Sequence, residues 1–319
     1  MKTELLKVQN LCVYYHTPRG PLKAVDGVTF NLRTGERLGL VGESGSGKST
    51  LALAIMLLTK PPGRIEDGQI LLNDQDLRKL SQEEIRKVRL TQIALIPQGA
   101  MNSLNPVKRI RNQMLDGILD HVQAISRTEL NEQIGELLKQ VQLKPEVADM
   151  FPHELSGGMK QRVCLAIAIS LKPKIIIADE PTSALDVVVQ RQVLLTLGYM
   201  QETGGQSIIL VGHDMGLMAQ FVNRIGVMYA GKLMEVDSVK EMFNGPLHPY
   251  TQLLIDCPPS LEWKGEFKGI PGLPPLLLNL PSGCVFHPRC PKAMRHCSVE
   301  VPIFKEAYAG RWVACHLYN

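Results

Sequence analysis

The chain has 319 residues, 45% apolar and 21% charged, which is enough to bury one large domain or two ordinary ones. Thirty-five Lys and Arg against 31 Asp and Glu leave a formal charge of +4, too mild to argue for a nucleic-acid or acidic partner. The start, MKTELLKVQN, lacks a signal peptide's apolar stretch, and the best apolar run, LALAIMLLT (51–59), is about half a bilayer span. A soluble, cytosolic chain with reduced thiols is expected.

ERLGLVG (36–42) reads as a short strand ending in glycine, and KSTLALAIMLL (48–58) has apolar residues at helical spacing. Between them GESGSGKS fills the pattern G-x-x-x-x-G-K-[ST] from Gly42 to Ser49. Small residues at Ser44, Gly45, Ser46 and Gly47 let successive N–H groups curl around phosphates, and the helix N-terminus adds partial positive charge. Lys48 is expected to reach the β- and γ-phosphates, and Ser49, with Thr50 beside it, to supply a hydroxyl for Mg²⁺. A ligand-free glycine turn would not need a strand before it and a helix after it. The chain is expected to bind a nucleoside triphosphate.

Further along, RIRNQMLDGILDHV and ELNEQIGELLKQVQL have helical periodicity. LSGGMKQ (155–161) precedes the helix-like RVCLAIAISL, so Ser156, Gly157 and Gly158 look like a second helix-start anion site. KIIIADEP (174–181) reads as a buried parallel strand ending in two acids. Asp179, at its C-terminal end, suits Mg²⁺; Glu180, turned the other way by strand alternation, suits activation of water. That makes the chain a hydrolase, the plain alternative being an acidic pair that only caps a turn. RIGVMYAGKLMEVD (224–237) reads as two strands joined at Ala230-Gly231.

With LSGGMKQ set between the phosphate loop and the acidic strand, the sequence resembles the ATP-binding cassette (ABC) transporter ATPases from residue 5 to about 235. The resemblance implies an α/β cassette over 1–240, with a parallel sheet core, an antiparallel β subdomain and a helical subdomain at about 99–157. It also implies head-to-tail pairing, in which each signature closes over the partner's ATP. Gln98 in ALIPQ resembles the Q-loop glutamine that senses the γ-phosphate and Mg²⁺, which makes Ser49, Gln98 and Asp179 the expected Mg²⁺ set. Ser183-Ala184-Leu185-Asp186 resembles the D-loop, His213 in ILVGHD the switch histidine, and Tyr15 the aromatic that stacks on adenine. The signature departs from many members at Met159, where they have Gln. The surface near Met101, Leu104 and Asn105 would receive a short helix of the membrane subunit, although plain core suits a Met/Leu patch as well.

From 245 to 291 Pro and Gly dominate, as in GPLHPY, CPPS, PGLPP and LPSG, a density that predicts no regular helix or sheet. Residues 241–319 are therefore expected to be an irregular appended tail, partly ordered by whatever binds it. LHPYTQLL (247–254), the proline stretch and GCVFHPRCP resemble the ATPase subunits of dipeptide and oligopeptide importers. Related nickel importers carry similar tails, which leaves nickel or another small solute as the alternative cargo. The resemblance implies two membrane permease subunits, a second and different ATPase chain, an extracellular substrate-binding protein and no nucleic acid. It puts the chain peripherally on the cytoplasmic face of the membrane. Soluble ABC proteins of translation or recycling usually carry two cassettes, whereas one GKS and one SGG occur here.

The tail also holds Cys284, Cys290, Cys297 and Cys315, spaced C-x5-C-x6-C-x17-C. Reduced structural thiols, a zinc site and an iron–sulfur cluster compete. With Zn–S bonds of about 2.3 Å, zinc gathers its four sulfurs about 3.8 Å apart and favours tight C-x2–4-C turns, which the tail lacks. A cubane cluster spreads its sulfurs wider, Cys290-Pro291 echoes the Cys-Pro found at such ligands, and Arg289, Lys292 and Arg295 would offset thiolate charge. Some tails of the resembling branch hold [4Fe-4S]. A [4Fe-4S] cluster is the expectation, with zinc as the alternative. Cys12, Cys164 and Cys257 stand apart and read as ordinary thiols.

Overall fold

The computed structural model describes residues 3–122, 126–183, 185–256 and 269–318. In chain order the strands are β1 (Glu4–Thr17), β2 (Gly20–Arg33), β3 (Arg37–Val41), β4 (Gly63–Leu72), β5 (Gln75–Asp76), β6 (Ile93–Ile96), β7 (Ile175–Asp179), β8 (Ser207–Val211), β9 (Arg224–Tyr229), β10 (Lys232–Ser238), β11 (Lys305–Tyr308) and β12 (Arg311–Val313). The helices are α1 (Lys48–Ile55), α2 (Gln82–Val88), α3 (Ile110–Leu119), α4 (Arg127–Gln140), α5 (Gly157–Ile169), α6 (Val187–Gly204), α7 (Met215–Phe221), α8 (Val239–Asn244) and α9 (Pro249–Asp256). They fall into two compact units, one built mainly on Lys79–Val211 and the other on Glu4–Leu32, Arg37–Arg78 and Gly212–Asn319.

In the first unit β6 and β8 flank β7 in parallel, with Ile93 opposite Ile175 and Ile175 opposite Ser207. Every residue of β7 is buried, as a parallel strand covered on both faces requires. Each fully buried Ile there stabilises the fold by roughly 1.5–3 kcal/mol relative to exposure. α4 starts with a capping box between Ser126 and Glu129 and buries Leu130, Ile134, Leu137 and Leu138, one face of a 3.6-residue period. α5 and α6 approach so closely that a Cβ on Gly158 would lie 2.7 Å from a Val189 methyl, so any larger residue would force Val189 to move. Leu104 is buried, with 7% of its surface exposed, while Asn105 is exposed and Met101 half-buried. Of the three residues expected at the membrane-subunit surface, Leu104 is thus core.

In the second unit β3 runs parallel to β9, and β9 turns at Ala230-Gly231 into antiparallel β10, as the sequence predicts. β10 continues antiparallel to β12, and β12 to β11, so strands from the chain's last fifteen residues extend the same sheet. A separate four-stranded sheet has the order β2-β1-β4-β5, antiparallel at β1–β4 and β4–β5. The parallel strands and the antiparallel sheet agree with the expected fold class.

The tail differs from its expectation. Proline density does not prevent α9, because Pro249 takes its first position, where the missing N–H would have had no helical partner. The neighbouring N–H groups are met by side chains. Both oxygens of the buried Glu235 accept, from Leu247 at 2.8 Å and His248 at 2.9 Å, and His248 Nδ1 accepts from Tyr250 N–H at 3.0 Å. Tyr250 and Phe286 then pack on Tyr229 of β9, with ring centroids 4.7 and 5.2 Å away. The chain's own strands supply the contacts that order this segment.

Candidate functional site

The phosphate loop connects β3 to α1 in the second unit. Gly42 and Gly47 have φ of +151° and +102°, and a Cβ on either would lie about 2 Å from a backbone oxygen: 2.1 Å from that of Met228, 2.0 Å from that of Ala24. The end of β9 and residue 24 of β2 thus mould the loop from behind. Lys48 is 5% exposed; its Nζ donates to the carbonyls of Gly42 (2.8 Å) and Glu43 (2.9 Å) and to Ser46 Oγ (3.2 Å). The loop therefore encircles a buried ammonium whose hydrogen bonds offset its desolvation. Ser44 and Gly45 are exposed at its tip, and Ser49 and Thr50 lie half-buried in the first turn of α1. Tyr15 is half-buried near the end of β1, and His213 is exposed just after β8, ahead of Asp214, which caps α7.

Glu43, the first variable residue of the motif, is held twice more. Its N–H donates to Tyr250 Oη at 3.0 Å. Its carboxylate accepts from Arg289 Nη1 at 2.7 Å and Nη2 at 3.0 Å. The sequence gives no sign of this contact, since 246 positions separate the partners.

In the first unit, Asp179 ends β7 and is buried. Glu180 follows with φ of +45°, the left-handed region a non-glycine residue rarely occupies. Its N–H donates to Val211 O at 2.9 Å, and Gln98 Nε2 donates to its Oε2 at 2.9 Å. The structure therefore brings Gln98 and Glu180, predicted separately, into direct contact. A positioned carboxylate held by an amide is chemically suited to orient and deprotonate water.

Ser156 caps α5 by accepting from Met159 N–H at 3.3 Å, and it is exposed together with Gly157. The signature thus offers a hydroxyl and a helix N-terminus at the surface. Met159 takes part through its backbone, which is why the departure from Gln at that position leaves the cap intact. Asp186 caps α6, accepting from Val189 N–H at 2.9 Å, while Ala184 of the same segment lies outside the described residues.

The iron–sulfur expectation is overturned, and the zinc alternative with it. Among the described residues no group of three or more His, Cys, Asp or Glu side chains is arranged to hold a metal ion. Burial pushes the thiols of Cys284 and Cys290 up and that of Cys315 up to about 11, as for cysteines in an apolar setting. The spacing argument failed because it assumed a tail without an apolar core. Cys315 instead packs with Leu247 and Val313, and Cys284 and Cys297 are buried as well. Two of the three cations assigned to offset thiolate charge are engaged elsewhere, Arg289 by Glu43 and Lys292 by Gln252 Oε1 at 3.0 Å. Cys164 is buried, its thiol pushed up to about 12; Cys12 is half-buried; Cys257 lies outside the described residues.

Comparison with known proteins agrees with this geometry. Residues 25–183 match the ABC transporter family, and residues 234–297 match the oligopeptide/dipeptide transporter C-terminal region. The oligopeptide transport ATP-binding protein AppF of Bacillus subtilis is 43% identical over 304 residues, 94% of this chain and 91% of the relative. The dipeptide transport ATP-binding protein DppD of Caldanaerobacter subterraneus is 41% identical over 317 residues, covering 99% and 97%. OppD of Escherichia coli, an oligopeptide transport ATP-binding protein, is 43% identical over 98% of this chain and 92% of its own. Among solved structures, the dimeric bacterial ABC transporter cassette MJ0796 superposes with a TM-score of 0.66 at 30% identity, covering 74% of this chain and 99% of that one. A second structure of that cassette, in a post-hydrolysis state with ADP and Pi, gives the same TM-score at 29% identity. With relatives above 40% identity along nearly its whole length, this chain belongs to the ABC transporter family, in the branch that carries the oligopeptide/dipeptide C-terminal region.

Proposed function

We propose that the chain binds and hydrolyses ATP to energise import of dipeptides or oligopeptides through membrane permeases. The observation that carries this reading is full-length similarity to peptide-transport ATP-binding proteins, tail included. Among the described residues no helix is long and apolar enough to cross a membrane. The permease partners implied by the peptide-transport relatives are proposed to supply the translocation path. The finer assembly is two permease subunits, a second and different ATPase chain and an extracellular binding protein, with this chain peripheral on the cytoplasmic face.

Each site residue has a proposed part. Tyr15 stacks on adenine, while the N–H groups of Gly42 and of Ser44 to Thr50 and the Lys48 ammonium take the phosphates. Ser49, Gln98 and Asp179 offer oxygen donors, the chemistry Mg²⁺ prefers; the ion, when bound, offsets phosphate charge. Glu180 accepts the proton of the attacking water, and Gln98 holds that carboxylate in place. His213 reads the γ-phosphate. Ser156, Gly157 and Gly158 act on the partner subunit's ATP, with Asp186 beside the pairing face. The first-unit surface that includes Pro97, Asn105 and Gln113 is proposed to receive a short helix of the permease.

Copurification with the permeases, followed by uptake assays in vesicles with a dipeptide, an oligopeptide and Ni²⁺, tests the reading. ATP-dependent peptide uptake that stops with Lys48→Ala is expected. Uptake of Ni²⁺ with neither peptide transported would overturn the cargo.

A further inference from the structure

Glu43 occupies a position in the phosphate loop where the motif itself asks for no particular residue, yet all its polar groups are fixed. Its carbonyl accepts from Lys48 Nζ at 2.9 Å and from Ser46 N–H at 3.2 Å. Its N–H and its carboxylate are taken by Tyr250 and Arg289, residues of the C-terminal region. Arg289 is built into this place. Its side chain is 5% exposed, and its five N–H donors all have acceptors. Nε reaches Pro271 O (2.8 Å), Nη1 reaches Glu43 Oε2 (2.7 Å) and Tyr229 Oη (3.1 Å), and Nη2 reaches Glu43 Oε1 (3.0 Å) and Ile270 O (3.4 Å). The Glu43 carboxylate and the Tyr229 hydroxyl hold the guanidinium charged well above its already high range. Only arginine's planar fork meets a carboxylate on two sides while serving three further acceptors.

We propose that Arg289, seconded by Tyr250, is a positioning residue for nucleotide binding: the C-terminal region clamps the phosphate loop by fixing Glu43. The clamp works through Lys48. Glu43 O is one of the atoms that aim the Lys48 ammonium, so freeing Glu43 lets the lysine and the loop's N–H groups wander from the geometry the phosphates need. The proposal rests on the reading of this loop as the ATP phosphate site.

The test measures binding of a fluorescent ATP analogue to the full chain, alongside hydrogen exchange of the amides of residues 43–49 without nucleotide. Arg289→Met should raise the Kd about tenfold and speed loop exchange, and Arg289→Lys, which keeps the charge but not the fork, should recover only part. Tyr250→Phe keeps the buried ring and removes the acceptor, so it should raise the Kd about threefold even where Arg289→Met fails to fold. Lys48→Ala is the control. If it weakens ATP binding while Arg289→Met and Tyr250→Phe leave Kd and loop exchange unchanged in folded protein, Arg289 is only a strut and the clamp is refuted. If Lys48→Ala leaves the Kd unchanged, the phosphate reading falls and takes the clamp with it.

Discussion

The phosphate loop and the segment bearing Cys284, Cys290 and Cys297 are both irregular segments in the same compact unit, held by opposite means. In the loop the backbone is the working surface. Gly42 and Gly47 adopt positive φ against carbonyl oxygens, and a buried lysine ties the turn together. In the tail the side chains carry the structure: Phe286 and Tyr250 fill space against Tyr229, and the cysteines behave as small apolar residues. One segment tolerates no added atom at its critical positions; the other tolerates substitutions that keep volume and apolarity.

That contrast can be tested from its largest expected effect downward. Glu180→Gln should cut steady-state hydrolysis by about 10²–10⁴ while ATP still binds, because a base is lost and no phosphate contact is. Turnover within a few-fold of the unaltered protein would remove Glu180 from that role. Gly47→Ala should abolish measurable ATP binding in calorimetry, since the added Cβ would sit 2.0 Å from Ala24 O and the backbone would have to shift. Retained affinity would mean the loop is not the rigid surface described.

The tail should answer to pH. His248 is buried, its pKa lowered to about 3 from 6.5, and its Nδ1 accepts the Tyr250 N–H. Below about pH 6.5 the unfolded chain takes up a proton there that the folded chain refuses until about pH 3, so stability falls as pH drops through that window. Between pH 7 and 5 the unaltered protein should lose about 2 kcal/mol more than His248→Asn in urea unfolding. Equal losses would show that His248 is not held neutral. The smallest effect is expected from Cys315→Ala, about 1 kcal/mol of stability with ATP turnover unchanged. An iron or zinc content that disappears with this substitution would reverse the assignment of the tail cysteines as core.

Legibility in the sequence followed the same divide. A loop whose function lies in its backbone must be written in glycines at fixed spacing, so Gly42, Gly47 and Lys48 could be read directly. β7 was readable because a strand buried on both faces has no polar residue before Asp179. The joint role of Gln98 and Glu180 was half legible: each residue had a motif, but their hydrogen bond did not. The tail resisted because its order comes from distant contacts. Glu235 holding residues 247 and 248, β12 pairing with β10 and Arg289 holding Glu43 leave no local pattern. Cysteine spacing was then given a chemical meaning where packing was the cause.

The Arg289–Glu43 pair also limits how such chains can be recombined. A chimera that takes its cassette from one relative and its C-terminal region from another inherits the two halves of an ion pair, a buried Arg289 and a half-buried Glu43, from different parents. An Arg289 that arrives without its carboxylate leaves a lone charge inside the fold, which is worse than having neither. Exchanging the tail therefore keeps its stability only when positions 43 and 289 travel together.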